Sequence, residues 1–534
     1  MSLPNVELSD ELLYEYLLTE IASQRGHKAL AAEGGADMTE KTRDPRLARR
    51  AAQLALESGD MLKSLDALRL WREIEPASPL AGRMLASMLL RGGKPEEAQP
   101  VLAGILRADA GKLDYSFLQI FQLLASYPDK SAALNLMREL AQPYPQVAEA
   151  HWAVAQLAQF AGDAPLGLSE IREARKLRPE WDMAAMLEAQ LLLKNSPQQA
   201  LEVLQRYLSS YPKAKDVRLQ YARVLLEQKQ YRPARDEFMR LAQDNPESPD
   251  LAFAIALISL QLNDLKGAET QLQQALNKGK KEQDTVQYYL GQLSEAKEDQ
   301  EAALKHYREV RAGEHEFAAR VRVAYLLSKR GKLDEARDYL HQAKAVSNQQ
   351  RVQLLQVEAQ LLREAQLNGE AFLVLQDGLK NLPNQPELLY EAAMLAEKLG
   401  KFDISESLLR KLIQNEPEHA HAHNALGYSL LERNVRIPEA LALVEKALLL
   451  APNDIAIIDS VGWGYYRSGR LDESVNMLRR AYAGNPDPEI AAHLGEVLWV
   501  RGDKDEASRI WQESLKAHPG NELLQAIIRK FGAP

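Results

Sequence analysis

The sequence predicts an all-α protein, a solenoid in which helical hairpins stack one on the next. Three observations predict it: a proline that recurs every 33 to 35 residues, small residues at fixed places before each proline, and a helix-rich composition with only 28 Gly and 25 Pro in 534 residues. The recurring prolines are Pro145, Pro179, Pro212 and Pro246, then Pro383, Pro417, Pro452, Pro486 and Pro519, and the gap of 137 residues between the two runs is close to four units. Residues 45–519 therefore divide into about fourteen helix–turn–helix units.

Residues 1–44 precede the repeats and are predicted to form helices. Ser9 is placed to cap a first helix over residues 8–25, and Gly26 is placed to end it. The helix carries an apolar face too wide for an isolated solvated helix, made of Leu12, Leu13, Tyr16, Leu17, Leu18 and Ile21. Two alternatives stay open. The helix pairs with a short helix at residues 27–32 as a degenerate cap, or it docks on a partner through Leu12, Leu13, Tyr16 and Leu17.

The segment between this region and the repeats reads Gly-Gly-Ala-Asp at residues 34–37, which predicts a loop. Asp44 and Pro45 then fit the N-cap and first residue of the helix that opens the repeats. Residues 520–534 are predicted to form a capping helix at the other end. Because repeat units are stabilised mainly by their neighbours, we expect a chain that lacks residues 1–40 to stay folded.

Small residues within each unit indicate where its two helices touch. In the unit that ends at Pro486, Gly462 and Ala481 fall at that contact, and Gly469 falls at the turn, where glycine permits a positive φ. The proline ends the second helix because it lacks an N–H and its ring clashes with the preceding turn. We therefore expect Gly462 to be a packing point.

Other units repeat the pattern at Leu85, Ala86, Gly93 and Ala98; at Leu290, Gly291, Ala303 and Tyr307; at Ala324, Gly331, Ala336 and Ala343; and at Leu426, Gly427, Ala440, Ala447 and Pro452. At these residues the chain resembles the tetratricopeptide repeat. The resemblance covers about residues 45–519. It implies an α-solenoid wound into a right-handed superhelix.

The composition argues against several classes of protein. A formal net charge of -9 is unlike that of a general nucleic-acid binder, so no nucleic-acid partner is expected. No apolar run approaches the roughly 18 residues that a membrane span needs. The absence of cysteine excludes disulfides and thiolate metal sites, and the first four residues show no export signal.

The chain carries no recognisable catalytic motif, since it has no Walker loop, no Gly-x-Ser-x-Gly elbow and no His-Glu-x-x-His. We therefore expect no enzyme, no catalytic residue and no cofactor. The one cluster that resembles a metal site is His419, His421 and His423, but on a helix only the first and last share a face. We expect these histidines to cap and line a repeat helix, and we expect no metal.

The resemblance implies that the first helix of each unit lines a groove for partners. Large aromatic residues, which dominate binding hot spots, occupy such positions near the C-terminus. The candidates are Tyr390, Tyr428, Trp463, Tyr466 and Trp499, beside Met394, Asn424 and Asp459. Packing against the next helix is the alternative, above all for Tyr466 and Trp499. Replacing both Trp463 and Tyr428 by Ala is expected to leave the melting temperature nearly unchanged.

Two stretches carry a narrower resemblance, residues 12–25 with 42–48 and residues 459–467 with 488–499. They are similar to long repeat lipoproteins of the Gram-negative outer membrane that act as adaptors for a carboxyl-terminal processing protease. The resemblance implies a periplasmic protein with two kinds of protein partner, the protease and the peptidoglycan cross-link hydrolases that it degrades. It also implies membrane attachment through a lipidated cysteine, which is absent from this chain.

Three classes of function are open on this basis: an adaptor between proteins, a scaffold in envelope polysaccharide export, where similar repeat arrays occur, and an enzyme. The adaptor is favoured because a long solenoid without a catalytic constellation offers mainly surface. No segment outside the repeats is long enough to form a catalytic domain.

Overall fold

A computed structural model describes residues 4, 6, 8–108 and 110–532 of the chain. Within these residues the protein consists of thirty-one α-helices without β-strands, which confirms the predicted all-α solenoid. The helices fall into two compact units, residues 1–280 and residues 281–534. No helix in the described part combines the length and the apolar content that crossing a membrane requires.

The helices of the first unit are α1 (Asp10–Gln24), α2 (Lys28–Thr42), α3 (Pro45–Ser58), α4 (Met61–Ile74), α5 (Pro79–Arg91), α6 (Pro95–Ala108), α7 (Leu113–Ala125), α8 (Lys130–Ala141), α9 (Ala148–Ala161), α10 (Ala164–Leu177), α11 (Asp182–Leu193), α12 (Pro197–Ser210), α13 (Lys215–Glu227), α14 (Tyr231–Asp244), α15 (Pro249–Gln261) and α16 (Leu265–Asn277).

The helices of the second unit are α17 (Gln283–Ala296), α18 (Gln300–Glu309), α19 (Glu316–Lys329), α20 (Leu333–His341), α21 (Asn348–Glu364), α22 (Asn368–Asn381), α23 (Pro386–Lys398), α24 (Phe402–Asn415), α25 (Ala420–Glu432), α26 (Ile437–Leu450), α27 (Ile455–Arg467), α28 (Leu471–Gly484), α29 (Pro488–Arg501), α30 (Lys504–Ala517) and α31 (Glu522–Phe531).

α1 pairs with α2, and within the repeats consecutive helices pair into hairpins from α3 and α4 to α29 and α30. Their second helices end shortly before the unit ends that the proline spacing predicts; for example, α28 ends at Gly484, before Pro486. The turn inside the α27–α28 hairpin contains Gly469 at φ +80°, so glycine has the positive φ expected there. α31 lies in the predicted capping segment, of which residues 533 and 534 are outside the described residues.

In the N-terminal region the predicted helix caps are confirmed, but the predicted short helix and loop between them are not. Ser9 caps α1 by accepting a hydrogen bond from the Leu12 N–H at 3.2 Å, and the Asp44 carboxylate accepts one from the N–H of Arg46 at the start of α3. The predicted short helix at residues 27–32 and loop at residues 34–37 were wrong, because α2 continues without interruption to Thr42. Residues 1–3, 5 and 7 lie outside the described residues.

The two glycines of α2 are explained by close helix packing. A Cβ on Gly34 would lie 2.2 Å from the Thr19 Oγ1 of α1, and one on Gly35 would lie 3.2 Å from the Ala51 Cα of α3. A side chain at Gly34 would therefore displace the Thr19 hydroxyl, and one at Gly35 would push against the backbone of α3. The sequence pattern alone did not distinguish this use of glycine from a turn.

Gly462 is the contact point between α27 and α28, as predicted. A Cβ at this position would lie 2.6 Å from Leu478 Cγ and 3.2 Å from the Leu478 backbone nitrogen. The same close approach lets the Ser474 hydroxyl donate a hydrogen bond to the Gly462 carbonyl oxygen at 2.7 Å. One glycine thus sets the distance between the two helices of this hairpin.

We predict that Gly462→Ala destabilises the protein by about 1–3 kcal/mol, because the added methyl group overpacks the hairpin. Gly369→Ala is the matched control, since Gly369 also lies in a helix but a Cβ there meets nothing within 4 Å. Chemical denaturation followed by circular dichroism measures both changes. Equal stability of the two variants would contradict the assigned role of Gly462.

Candidate protein-binding surfaces

The first candidate surface is the outward face of α1. The buried residues of this helix are Thr19 and Ala22, which turn toward the rest of the first unit. The Arg50 guanidinium holds α1 further by donating two hydrogen bonds of 2.7 Å to the Glu20 carboxylate. The helix is therefore attached through its small and polar residues, and its wide apolar face points away from the hairpin.

The predicted partner-binding residues of α1 lie on that outward face. Leu13 and Tyr16 are each 42% exposed and Leu17 is 50% exposed, while Leu12 is half-buried. Tyr14, Leu18 and Ile21 extend the exposed patch. The hairpin with α2 and the outward apolar face are both present, so the two alternatives for α1 are structurally compatible.

The second candidate surface is a cleft of about 480 Å³ in the second unit, lined by residues of successive first helices. Tyr390 of α23, Asn424 and Tyr428 of α25, Asp459 of α27 and Glu489 of α29 meet there. The tyrosine rings are half-buried, and the Tyr428 hydroxyl donates a 2.7 Å hydrogen bond to Glu489 Oε1. Burial and this bond to a carboxylate raise the pKa of Tyr428. The cleft combines aromatic walls with carboxylates.

Repeat periodicity explains which residues meet. Tyr390, Asn424, Asp459 and His493 are spaced by one repeat each, so they occupy the same register on four successive first helices. The sequence prediction included the first three of these positions but missed His493 as a site residue. The signal that identifies it is the 34-residue step from Asp459, a spacing that places both residues at one level of adjacent hairpins.

His493 forms a buried pair with Asp459. Its Nδ1 lies 2.9 Å from Asp459 Oδ2, and its ring stacks on Trp463 with 4.2 Å between ring centroids. Burial by itself opposes protonation, but the carboxylates of Asp459, Glu489 and Glu432 outweigh it and raise the pKa of His493. The histidine thereby ties α29 to α27 by both charge and stacking.

The structure contradicts the expectation that Trp463 is exposed for recognition. Its side chain is only 6% exposed, because it lies between His493 and Tyr466, whose ring centroid is 5.0 Å away. This burial removes the physical basis for expecting that replacing both Trp463 and Tyr428 by Ala leaves the melting temperature nearly unchanged, and a lower melting temperature is expected instead. Trp463 packs between adjacent hairpins, whereas Tyr428 is half-buried at the cleft and bonded to Glu489.

The other two aromatic candidates are also engaged in packing. The Tyr466 hydroxyl donates a 3.2 Å hydrogen bond to Glu496 Oε1, and burial raises the pKa of this tyrosine to about 12. Trp499 lies against Trp511 and Phe531, with centroid distances of 5.7 and 6.1 Å. Neither residue lines the cleft. Both follow the alternative in which an aromatic residue packs against a neighbouring helix.

Two of the three clustered histidines, His419 and His423, bond to the backbone at the start of α25, as expected. The Ala422 N–H donates a 3.1 Å hydrogen bond to His419 Nδ1, and His423 Nε2 lies 2.9 Å from the Pro417 carbonyl oxygen. His421 is exposed. Over the described residues, no group of three or more histidine, aspartate or glutamate side chains is arranged to hold a metal ion.

The fold and its surfaces define a class of protein, an α-solenoid of stacked helical hairpins. Models of the tetratricopeptide repeat match residues 191–248, 390–455 and 462–522. The chain is 34% identical over 490 residues to the TPR repeat-containing protein PA4667 of Pseudomonas aeruginosa, over 91% of this chain and 82% of that relative. The protein therefore belongs to the tetratricopeptide repeat family, whose members generally act as non-catalytic scaffolds for protein–protein interaction.

Other similarities are partial. The cellulose synthase operon protein C of Pseudomonas fluorescens is 27% identical over 305 residues, which are 52% of this chain and 23% of that protein. A solved tetratricopeptide repeat protein from Parabacteroides merdae aligns at 15% identity over 46% of this chain and 98% of its own, with a TM-score of 0.37. A thermophilic TPR protein of Thermus thermophilus aligns at 23% identity over 32% and 94%, with a TM-score of 0.30.

We predict that Trp463→Ala destabilises the protein by about 3–5 kcal/mol, because it leaves a cavity between adjacent hairpins. Tyr115→Ala is the control, since Tyr115 is 56% exposed and its loss removes little packing. Thermal unfolding measures the effect as a lowered melting temperature. An unchanged melting temperature for Trp463→Ala would contradict the observed packing.

We predict that His493 titrates above the ordinary histidine pKa of about 6.5 and that Asp459→Asn lowers its pKa. The pair stabilises the fold fully below the pKa of unfolded histidine, and this stabilisation is lost as the pH rises through the higher folded-state pKa. Nuclear magnetic resonance titration measures the pKa of His493, and the variant His493→Gln identifies which signal belongs to this residue. Titration of His493 below about 6.5 in the unmodified protein would contradict the pairing.

Proposed function

We propose that the protein is a non-catalytic adaptor of the periplasm that binds a carboxyl-terminal processing protease and promotes degradation of substrates such as peptidoglycan cross-link hydrolases. In the precursor, a lipid anchor would attach it to the outer membrane. The resemblance of residues 12–25, 42–48, 459–467 and 488–499 to such adaptors supports the specific partners and the location. The observation that carries the adaptor role is the outward apolar face of α1.

The face of α1 has the form of a docking helix. Leu13, Tyr16 and Leu17 stand three and four residues apart, the spacing by which an amphipathic helix fills an apolar groove. Each of these side chains is 42–50% exposed, so a partner that covers them removes apolar surface from water. Such burial stabilises a complex by about 25 cal/mol for each Å² of apolar surface. The polar contact of Glu20 with Arg50 holds the helix in the orientation that presents this face.

An adaptor needs a second surface, and the cleft of the second unit supplies one. Its aromatic and carboxylate lining belongs to α23–α29, whereas the apolar face belongs to α1. The two surfaces therefore differ in chemistry and use different helices. This difference supports one surface for the protease and the other for its substrates.

The similarity to cellulose synthase operon protein C of Pseudomonas fluorescens favours a second candidate, a scaffold in envelope polysaccharide export. The two proposals differ in what the purified chain binds. A polysaccharide scaffold is retained on a polysaccharide column without any protein partner, whereas the adaptor passes through and captures proteins. The same purified protein serves both measurements.

We predict that the double substitution Tyr16→Ser and Leu17→Ser removes one partner and keeps the other, because it changes only the α1 face. Affinity capture from a periplasmic extract, followed by mass spectrometry, measures both partners. Point substitutions are preferable to deleting residues 1–40, since that deletion also removes most of α2, whose Gly35 packs on α3. Circular dichroism should show unchanged helix content.

Leu62→Ser with Leu449→Ser is the matched control, because these leucines are 75% and 81% exposed on other helices. It should capture the same proteins as the unmodified chain. If the α1 variant and the control capture the same proteins in the same amounts, α1 is not a docking surface. Capture of no protease by the unmodified chain would overturn the specific adaptor role.

A further inference from the structure

Five carboxylates line the cleft of the second unit, from Glu397, Glu432, Asp459, Asp487 and Glu489. No lysine or arginine is among the described residues that line it. Acidic residues are common on exposed helix faces, so their number alone does not make a binding site. The hydrogen bonding of the buried acceptors distinguishes this cleft from such faces.

Asp459 is the key acceptor because it is only 6% exposed. Its Oδ2 pairs with His493, but its Oδ1 is buried and receives no hydrogen bond from the described residues. A buried acceptor left without a donor is costly, so this oxygen favours any ligand that brings an N–H group. Because Asp459 is one of the residues that line the cleft, the cleft is the side from which a ligand can approach this carboxylate.

Two neighbouring oxygens share this condition. Asn424 and Glu397 line the same cleft, and their Oδ1 and Oε2 atoms are buried and accept no hydrogen bond from the part of the chain that the structure describes. All three atoms are acceptors, so the missing partner is a donor. An ammonium group has three N–H donors and a guanidinium has five, and both carry the positive charge that the carboxylates favour.

The aromatic and apolar walls of the cleft can contact the methylene stem of a lysine or arginine side chain. Tyr390 and Tyr428 present half-buried rings, and Met394 is 41% exposed beside them. Aromatic faces attract cations, and apolar walls cover the methylene stem of lysine or arginine. The volume of about 480 Å³ leaves room for the backbone next to that side chain.

We propose that this cleft binds a lysine or arginine side chain presented by an extended segment of a protein partner. The inference rests on the proposed adaptor function for the existence of that partner, and it specifies what the partner must present. Recognition through the side chain is distinct from capture of a chain terminus. A free N-terminal ammonium has similar chemistry, so the experiment separates the two sources.

The test measures binding of fluorescent peptides to the full chain by anisotropy. Short glycine- and serine-rich peptides, acetylated and amidated at their ends, carry a central lysine or arginine, or the neutral analogues norleucine or citrulline. A further peptide has a free N-terminus and no basic residue. The lysine and arginine peptides are expected to bind about tenfold or more tightly than their neutral analogues.

The variant Asp459→Asn keeps the shape of the side chain and removes its charge, so it should weaken binding of the basic peptides about tenfold or more. Glu397→Gln is a second cleft variant that leaves the His493 pair intact and should also weaken binding. Asp505→Asn makes the same charge change on an exposed residue of α30 outside the cleft and should bind normally. Circular dichroism checks that each variant is folded.

Equal binding of basic and neutral peptides, or no binding up to about 1 mM, would overturn the inference. Tighter binding of the peptide with the free N-terminus than of the basic peptides would overturn it in favour of terminus capture. These results are independent of the adaptor proposal, which partner capture from the extract tests. If the basic peptides bind selectively but no protease is captured, the adaptor role is overturned, and the inference that the cleft binds basic side chains is supported.

Discussion

Close contact between the two helices of each hairpin is the constraint on which the rest of the structure depends. In the second unit it recurs at Gly291, Gly427, Gly462 and Gly495, where a Cβ would lie 2.0–2.7 Å from a side chain of the second helix. The opposing residues are Tyr307, Val444, Leu478 and Trp511. Because the two helices of these four hairpins approach at similar short distances, hairpins of one shape can stack, and each buries its apolar surface on its neighbours.

Stacking of similar hairpins also explains how functional residues come together. Residues one repeat apart, such as Asn424 and Asp459, occupy equivalent positions on successive first helices and therefore lie close together, although they are distant in sequence. The Asp459–His493 pair and the stacking of His493 on Trp463 hold two of these helices together. The cleft is therefore a product of repetition, and its acidic character comes from the particular residues that occupy the repeated positions.

α1 departs from this pattern in a way that matters for function. Every later first helix buries an apolar stripe, but α1 buries Thr19 and Ala22 and exposes both of its tyrosines and all its leucines except Leu12. Thr19 of α1 lies against Gly34 of α2, Ala22 packs in a small buried cluster with Ala31 of α2 and Leu54 of α3, and Glu20 pairs with Arg50 of α3. Small buried residues and one ion pair therefore attach α1, and its large apolar side chains stay exposed.

The sequence by itself determined the all-α class, the repeat period, the contact at Gly462 and the caps at Ser9 and Asp44, because each follows from local geometry that recurs at a fixed spacing. It did not determine that α2 runs through Gly34 and Gly35, or that Trp463 is buried. Those outcomes depend on which neighbouring helix approaches each residue. Only the tertiary structure decided them, since a glycine or an aromatic residue reads alike in the sequence whether its neighbour is water or another helix.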